Sequence, residues 1–226
     1  MSYILAKDLV KHYGKGDGIV EAVRGMSFTI DSGEFIAVMG ESGAGKSTVL
    51  SIMGAMNAPT SGQYAVDGID VYKLKRERRA DFRREFLGFV FQSFHLIPYL
   101  TVMENVALPL AIVKARAKEK ERMAEEALAR VGMADKADRL PGQISGGEKE
   151  RVAIARAIVN EPPVLMADEP TGNLDSKTSR NVMDLLKKLN REGMTVVMVT
   201  HSHECAGYAG RVLHMADGRL QEACAG

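Results

Sequence analysis

Residues 40–47 read Gly-Glu-Ser-Gly-Ala-Gly-Lys-Ser and match the spacing G-x-x-x-x-G-K-[ST] at every fixed position. That spacing suits the capture of a polyphosphate. Glycines at Gly40, Gly43 and Gly45 let the backbone curl so that successive N–H groups point inward at phosphate oxygens. A helix opening directly after them adds its positive N-terminal end. Lys46 would then place a point charge on the β- and γ-phosphates, and the Ser47 hydroxyl can ligate Mg²⁺. A plain glycine-rich turn with an exposed lysine is the alternative. The apolar run before the motif and the helix-forming run after it favour the phosphate cradle.

A second chemical group sits at 164–169, Val-Leu-Met-Ala-Asp-Glu. It reads as a buried strand ending in two acids. In nucleoside triphosphatases with this cradle, a carboxylate at such a strand end holds Mg²⁺, here Asp168. The next carboxylate, Glu169, can orient or deprotonate an attacking water, more readily where burial and a nearby phosphate raise its pKa. Two exposed acids starting a turn at Pro170 are the alternative. A third group is Ile144-Ser145-Gly146-Gly147-Glu148, ahead of a helix expected at 151–159. Ser145 with Glu148 has the form of a capping box, which would by itself explain the segment.

The elements that must position these groups are legible in outline. Residues 3–9 and 22–30 read as short strands around a glycine-rich turn at 14–18, and 35–39 as a buried parallel strand. Residues 46–56 read as a helix and 62–71 as a strand and turn. Residues 73–86 are charged and helix-prone; 88–91 is a strand. Thr101 and Glu104 form a second capping box, and 115–131 carries an apolar stripe of Met123, Ala127, Leu128 and Val131. Strand–helix alternation returns with strands at 164–167 and 195–200 around a helix at 177–191. This rhythm implies a mostly parallel sheet covered by helices, with a helical insert at about 93–140.

Composition narrows the classes. The 226 residues are 46% hydrophobic, which supports a packed core, and the net charge of +1 gives no general attraction to nucleic acid. Cys205 and Cys224 have no metal-like spacing, and a disulfide scaffold is not expected at this size. The N-terminus lacks a signal-peptide run, and the apolar stretch 106–113 contains Pro109 and is far short of the roughly 20 residues a spanning helix needs. No membrane-spanning segment is expected.

The ordered set of cradle, Ser145 segment, Asp168-Glu169 strand, Asn173-Leu174-Asp175 and His201 resembles the ATP-binding subunits of ABC transporters, over about residues 3–221. The resemblance implies an α/β fold: a RecA-like P-loop NTPase core with an antiparallel β subdomain (about 1–92 and 141–226) and an inserted α-helical subdomain (about 93–140). It implies an ATPase that uses ATP and Mg²⁺. The implied nucleotide contacts are Tyr13 on adenine, Gly40, Glu41, Ser42, Gly43, Ala44, Gly45, Lys46, Ser47 and Thr48 in the cradle, and Gln92. Ser47, Gln92 and Asp168 would hold the metal. Glu169, His201, Gln92 and Lys46 would serve catalysis, with His201 on the γ-phosphate. For Tyr13 an ordinary strand-end tyrosine, and for His201 a satisfied core histidine, remain the alternatives.

In that family two subunits pair head to tail when ATP is bound. Ser145, Gly146 and Gly147 of one would close over the nucleotide of the other, and Asp175 would cross the interface. The segment departs from the commonest signature: Ile144 stands for Leu, Glu148 for Gln, and Lys149-Glu150 follow. A carboxylate aimed at phosphate would be unwelcome; one folded back on Ser145 as a cap would not.

The runs 92–98 and 167–175 resemble the branch of lipoprotein-releasing (LolD-type), macrolide-exporter (MacB-type) and cell-division (FtsE-type) ATPases. The implied partners are a second copy and a separate transmembrane permease, with no nucleic acid. The implied location is cytoplasmic, peripheral on the cytoplasmic face of the inner (plasma) membrane. Chromosome and DNA-repair ATPase heads are disfavoured because no sustained heptads separate Lys46 from Ser145. Translation-associated relatives are disfavoured because they carry two cassettes, and kinases or GTPases because the Ser145 segment and His201 would have no task. The basic cluster from Lys73 to Arg84 reads as a solvated helix face, with a lipid or partner contact as the alternative.

Overall fold

The computed structural model describes residues 2–14 and 16–221; Cys224 lies outside them. Strands β1 (Ile4–Tyr13) and β2 (Val20–Ile30) pair antiparallel, and β3 (Phe35–Met39) follows. Helix α1 (Lys46–Met53) leads to the hairpin β4 (Ser61–Val66) and β5 (Ile69–Asp70), then α2 (Arg76–Phe86) and β6 (Leu87–Val90). Helices α3 (Val102–Ala107), α4 (Ala117–Arg130) and α5 (Gly146–Ile158) precede β7 (Val164–Asp168). The chain closes with α6 (Ser176–Arg191), β8 (Thr195–Val199), α7 (His203–Ala206), β9 (Arg211–Ala216) and β10 (Arg219–Leu220).

Two sheets result. The larger runs β10-β9-β3-β8-β7-β6, parallel except for β10; the smaller runs β2-β1-β4-β5 and is antiparallel. β3 is buried along its whole length, as a strand covered on both faces must be. Its alternation divides the core. Phe35, Ala37 and Met39 face an apolar cluster with α3 to α6, whereas Ile36 and Val38 face a second cluster with α1 and the antiparallel sheet.

Several boundaries differ from the sequence expectation for local reasons. β1 continues past residue 9 to Tyr13, because a bulge at Asp8 (φ 50°) breaks the alternation without ending the strand. α1 stops at Met53, capped by Gly54, instead of running to 56. α5 begins at Gly146, not 151, since Ser145 is its N-cap and the two glycines are helical. Three of the arginines of α2 are engaged within the fold: Arg83 donates to the Ala55 carbonyl at 3.0 Å, Arg84 pairs with Asp81 at 3.1 Å, and Arg79 lies over the Tyr72 ring, while Arg76 and Arg78 are exposed.

Asn105 fastens the loop between β6 and α3. It is fully buried; its Oδ1 accepts from the Ile97 N–H at 2.7 Å, and its Nδ2 reaches the carbonyls of Ile97, Leu100 and Thr101 at 2.9–3.1 Å. Removing it orphans several partly buried backbone groups at once. Asn105→Ala is expected to lower the unfolding free energy by about 2–3 kcal/mol, read as a shift of the urea midpoint without change of slope.

Candidate functional site

The site forms where strand ends meet. The parallel register sets Val38 beside Val199 and Asp168 beside Val199, so the chain leaves β3, β7 and β8 at one edge of the sheet. Ligands of open α/β sheets bind at the carboxyl ends of the strands. A cleft of about 540 Å³ opens there, lined by Tyr13, Ala22, Ser42, Gly43, Gly45, Lys46, Ser47, Thr48, Gln92, Asp168, Glu169, Val199 and His201.

The cradle loop 40–45 is held by close approaches that admit no side chain. A Cβ on Gly40 would collide with the Met215 carbonyl of β9, and one on Gly45 with the Ala22 carbonyl of β2. Gly45 is also left-handed (φ 96°) at the N-cap of α1, a conformation that favours glycine. Lys46 folds its ammonium back over the loop, donating to the Gly40 and Glu41 carbonyls at 2.7 Å each. The charge therefore stands over the loop at the start of α1, where an anion held at that helix end would meet it. Ala44 is buried behind the loop.

Asp168 ends β7 and Glu169 follows in a left-handed backbone (φ 48°), unusual for a residue with a side chain. The Glu169 N–H donates to the Val199 carbonyl at 2.9 Å, and its carboxylate meets His201 Nδ1 at 2.9 Å. The Glu169 side chain is 15% exposed, whereas His201 is 71% exposed. Burial first, then the adjacent Glu169, pushes the Asp168 pKa above its ordinary value, and Lys46 partly opposes this. Ser47, Gln92 and Asp168 supply only oxygen donors on this side, with two acids side by side. This hard, negatively biased set fits Mg²⁺.

Tyr13, 42% exposed, stands at the rim. Its hydroxyl accepts from Asn57 Nδ2 at 2.6 Å, and Lys11 lies 5.1 Å from its ring centroid, so the ring is braced before any base stacks on it. Gln92 is gripped from the segment after β7: Asn173 Nδ2 donates to its carbonyl at 2.7 Å, and a Cβ on Gly172 would press on its amide at 2.9 Å.

Ser145, Gly146, Gly147 and Asp175 do not line the cleft. Ser145 caps α5: Glu148 donates its N–H to the Ser145 hydroxyl, and the Ser145 N–H donates to Glu148 Oε2 at 2.8 Å. Glu148 also pairs with Lys136. These contacts turn the carboxylate back onto its own helix end and, the lysine first, lower its pKa to about 2. Gly147 lets α5 approach α6 closely, since a Cβ there would meet the Thr178 methyl. Asp175 caps α6 by accepting from the Lys177 and Thr178 N–H groups at 3.0 Å.

Sequence reasoning passed over three contributors. Ala22 and Val199 line the cleft through strand positions without chemical signature, and Asn173 received no task. It also passed over Glu150, 0% exposed, whose carboxyl oxygens have no hydrogen-bond partner among the described residues. The signal was present: Gly147, Glu150, Ile154 and Ile158 form the buried stripe of α5. Burial raises the Glu150 pKa to about 8, with Arg156 opposing.

Because the folded pKa lies above the ordinary 4.5, Glu150 supports folding fully below about pH 4.5, and that support is lost as pH rises through about 8. Glu150→Gln cannot ionise. Its stability relative to the parent should therefore grow between pH 5 and pH 8.5, by on the order of 2 kcal/mol, in paired urea titrations.

Comparison with known proteins places this geometry. A family model described as ABC transporter matches residues 23–172. The lipoprotein-releasing system ATP-binding protein LolD of Geobacter metallireducens is 46% identical over 220 residues, 97% of this chain and 98% of that protein. The macrolide export ATP-binding/permease protein MacB of Hyphomonas neptunium is 41% identical over 214 residues, 95% of this chain but 33% of that protein. Among solved structures, the dimeric post-hydrolysis state of the ATP-binding cassette MJ0796 bound to ADP and Pi has a TM-score of 0.87 at 42% identity, covering 97% of each chain.

Proposed function

The chain belongs to the ABC transporter ATP-binding family, and from that premise we propose that two copies close head to tail on ATP and drive a separate membrane permease. It is an ATPase with the α/β P-loop fold of that family. The observation that carries the proposal is the division of the site. Cradle, metal carboxylate and base meet in one cleft, while Ser145 and Gly147 lie outside it at a helix N-terminus. A second copy turned end to end would bring that positive helix end to the γ-phosphate side of the cleft.

In the proposed site, the loop 40–45 and Lys46 bind the β- and γ-phosphates, Thr48 adds a contact at the start of α1, and Tyr13 stacks on adenine. Ser47, Gln92 and Asp168 would hold Mg²⁺, which when bound offsets phosphate charge. Glu169 takes a proton from the attacking water, its orientation fixed by the Val199 carbonyl and by His201. The exposed face of His201 would meet the γ-phosphate. Asp175, beyond capping α6, is placed beside Gly147 through Thr178, where a partner would approach.

The division into a core with β subdomain (about 1–92 and 141–226) and a helical subdomain (about 93–140) is part of the same proposal. Among the described residues no helix is long and apolar enough to cross a membrane. Likeness over 98% of the length of a protein named as an ATP-binding component supports a permease on a separate protein, with this chain peripheral on the cytoplasmic face of the membrane. Likeness to proteins named for lipoprotein release and macrolide export supports a task of lipoprotein release or of peptide or drug efflux.

Glu169→Gln is expected to lower ATP turnover at least about 100-fold while ATP binding persists. The variant should shift from monomer to dimer on adding ATP and Mg²⁺ in light scattering after gel filtration. Hydrolysis at the parent rate would contradict the assignment of the base.

A further inference from the structure

Arg156 lies near the far end of α5 from Ser145 and reaches across to the loop that follows Gln92. Its Nη1 donates to the His95 carbonyl at 2.5 Å and its Nη2 to the Phe94 carbonyl at 2.6 Å. Both residues are left-handed, Phe94 at φ 56° and His95 at φ 50°, so the fork grips two consecutive strained peptides. Such a corner persists only where its surroundings over-determine it.

The guanidinium is an expensive group to spend this way. It is largely buried, which lowers its pKa, and among the described residues it forms no ion pair within 4 Å. The nearest acid on its own helix, Glu150, has no hydrogen-bond partner and is held towards its neutral form. The charge is therefore answered by two backbone carbonyls. A planar fork fixes both at once; a lysine would reach one.

The gripped loop touches both sides of the site. At its start, the Gln92 carbonyl accepts from Asn173 and the side chain lines the cleft. At its end, Asn105 pins Ile97 and Leu100, leaving Tyr99 78% exposed between them. Helix α5 runs unbroken from the Ser145 cap to Ile158.

We infer that Arg156 is a positioning residue that carries movement of the Ser145 helix onto the Phe94–His95 corner, so that closure on a second copy's nucleotide is felt at Gln92 and Tyr99 of the same chain. The inference rests on the head-to-tail reading. It assigns Arg156 no contact with nucleotide; it acts through the backbone it holds.

The chain contains no tryptophan, so Tyr99→Trp supplies a single indole reporter at an exposed position. In the Glu169→Gln background, ATP with Mg²⁺ should form the dimer and shift the indole emission. Adding Arg156→Lys should leave the dimer and the ATP affinity intact but abolish the shift. In the catalytically competent chain, Arg156→Lys should lower kcat about tenfold with KM within about twofold, and Arg156→Gln should do the same. Absence of any dimer in the Glu169→Gln parent would undo the head-to-tail reading itself. With that dimer present, an unchanged indole shift or parental kcat in Arg156→Lys overturns the inference. So does loss of the dimer in Arg156→Lys, which would make Arg156 a brace of the fold.

Discussion

The whole site depends on the register of three parallel strands. β3, β8 and β7 are hydrogen-bonded so that Val38, Val199 and Asp168 end together. From that single edge the cradle loop, the paired acids and His201 depart, although more than a hundred residues separate the cradle from Asp168. A slip of one residue would turn Asp168 into the core and carry a core side chain to the cleft, because side chains alternate with period two. The fully buried runs of β3 and β8 make such a slip costly, and this is how apolar strands without chemistry of their own fix the chemistry.

Beyond that edge the groups proposed for catalysis are held by backbone. Glu169 sits in a left-handed conformation secured by the Val199 carbonyl, Gly40 and Gly45 press on the carbonyls of Met215 and Ala22, and Gln92 is held by Asn173. Constraints of this kind pre-organise a site, since the groups need little rearrangement when charge develops. They also link its parts. α5 has a cap at one end, a buried carboxyl in its middle and a guanidinium gripping a strained loop near its other end.

Much of this was legible in the sequence. β3, the paired acids and both capping boxes followed from apolar runs and fixed spacings, which are local properties. The end of β1 and the start of α5 were not, because a bulge at Asp8 interrupts alternation and because Gly146-Gly147 reads as a breaker although both are helical behind the Ser145 cap. The roles of Asn173, Arg156 and Asn105 were hidden for a different reason. Each side chain bonds a backbone carbonyl far along the chain or across a loop, and no residue pattern marks which carbonyl is near. Glu150 was the one missed residue with a local sign, a carboxyl on an apolar stripe.

The central claim is that one nucleotide is enclosed by the cradle of one copy and the Ser145 helix of another. The direct measurement is a short bismaleimide crosslink between Ser42→Cys and Ser145→Cys on separately tagged copies, in a Glu169→Gln background with Cys205 and Cys224 replaced by alanine. The account predicts a crosslinked pair carrying both tags that forms with ATP and Mg²⁺ and is absent without nucleotide. Equal crosslinking with and without ATP, or none with ATP bound, would contradict it.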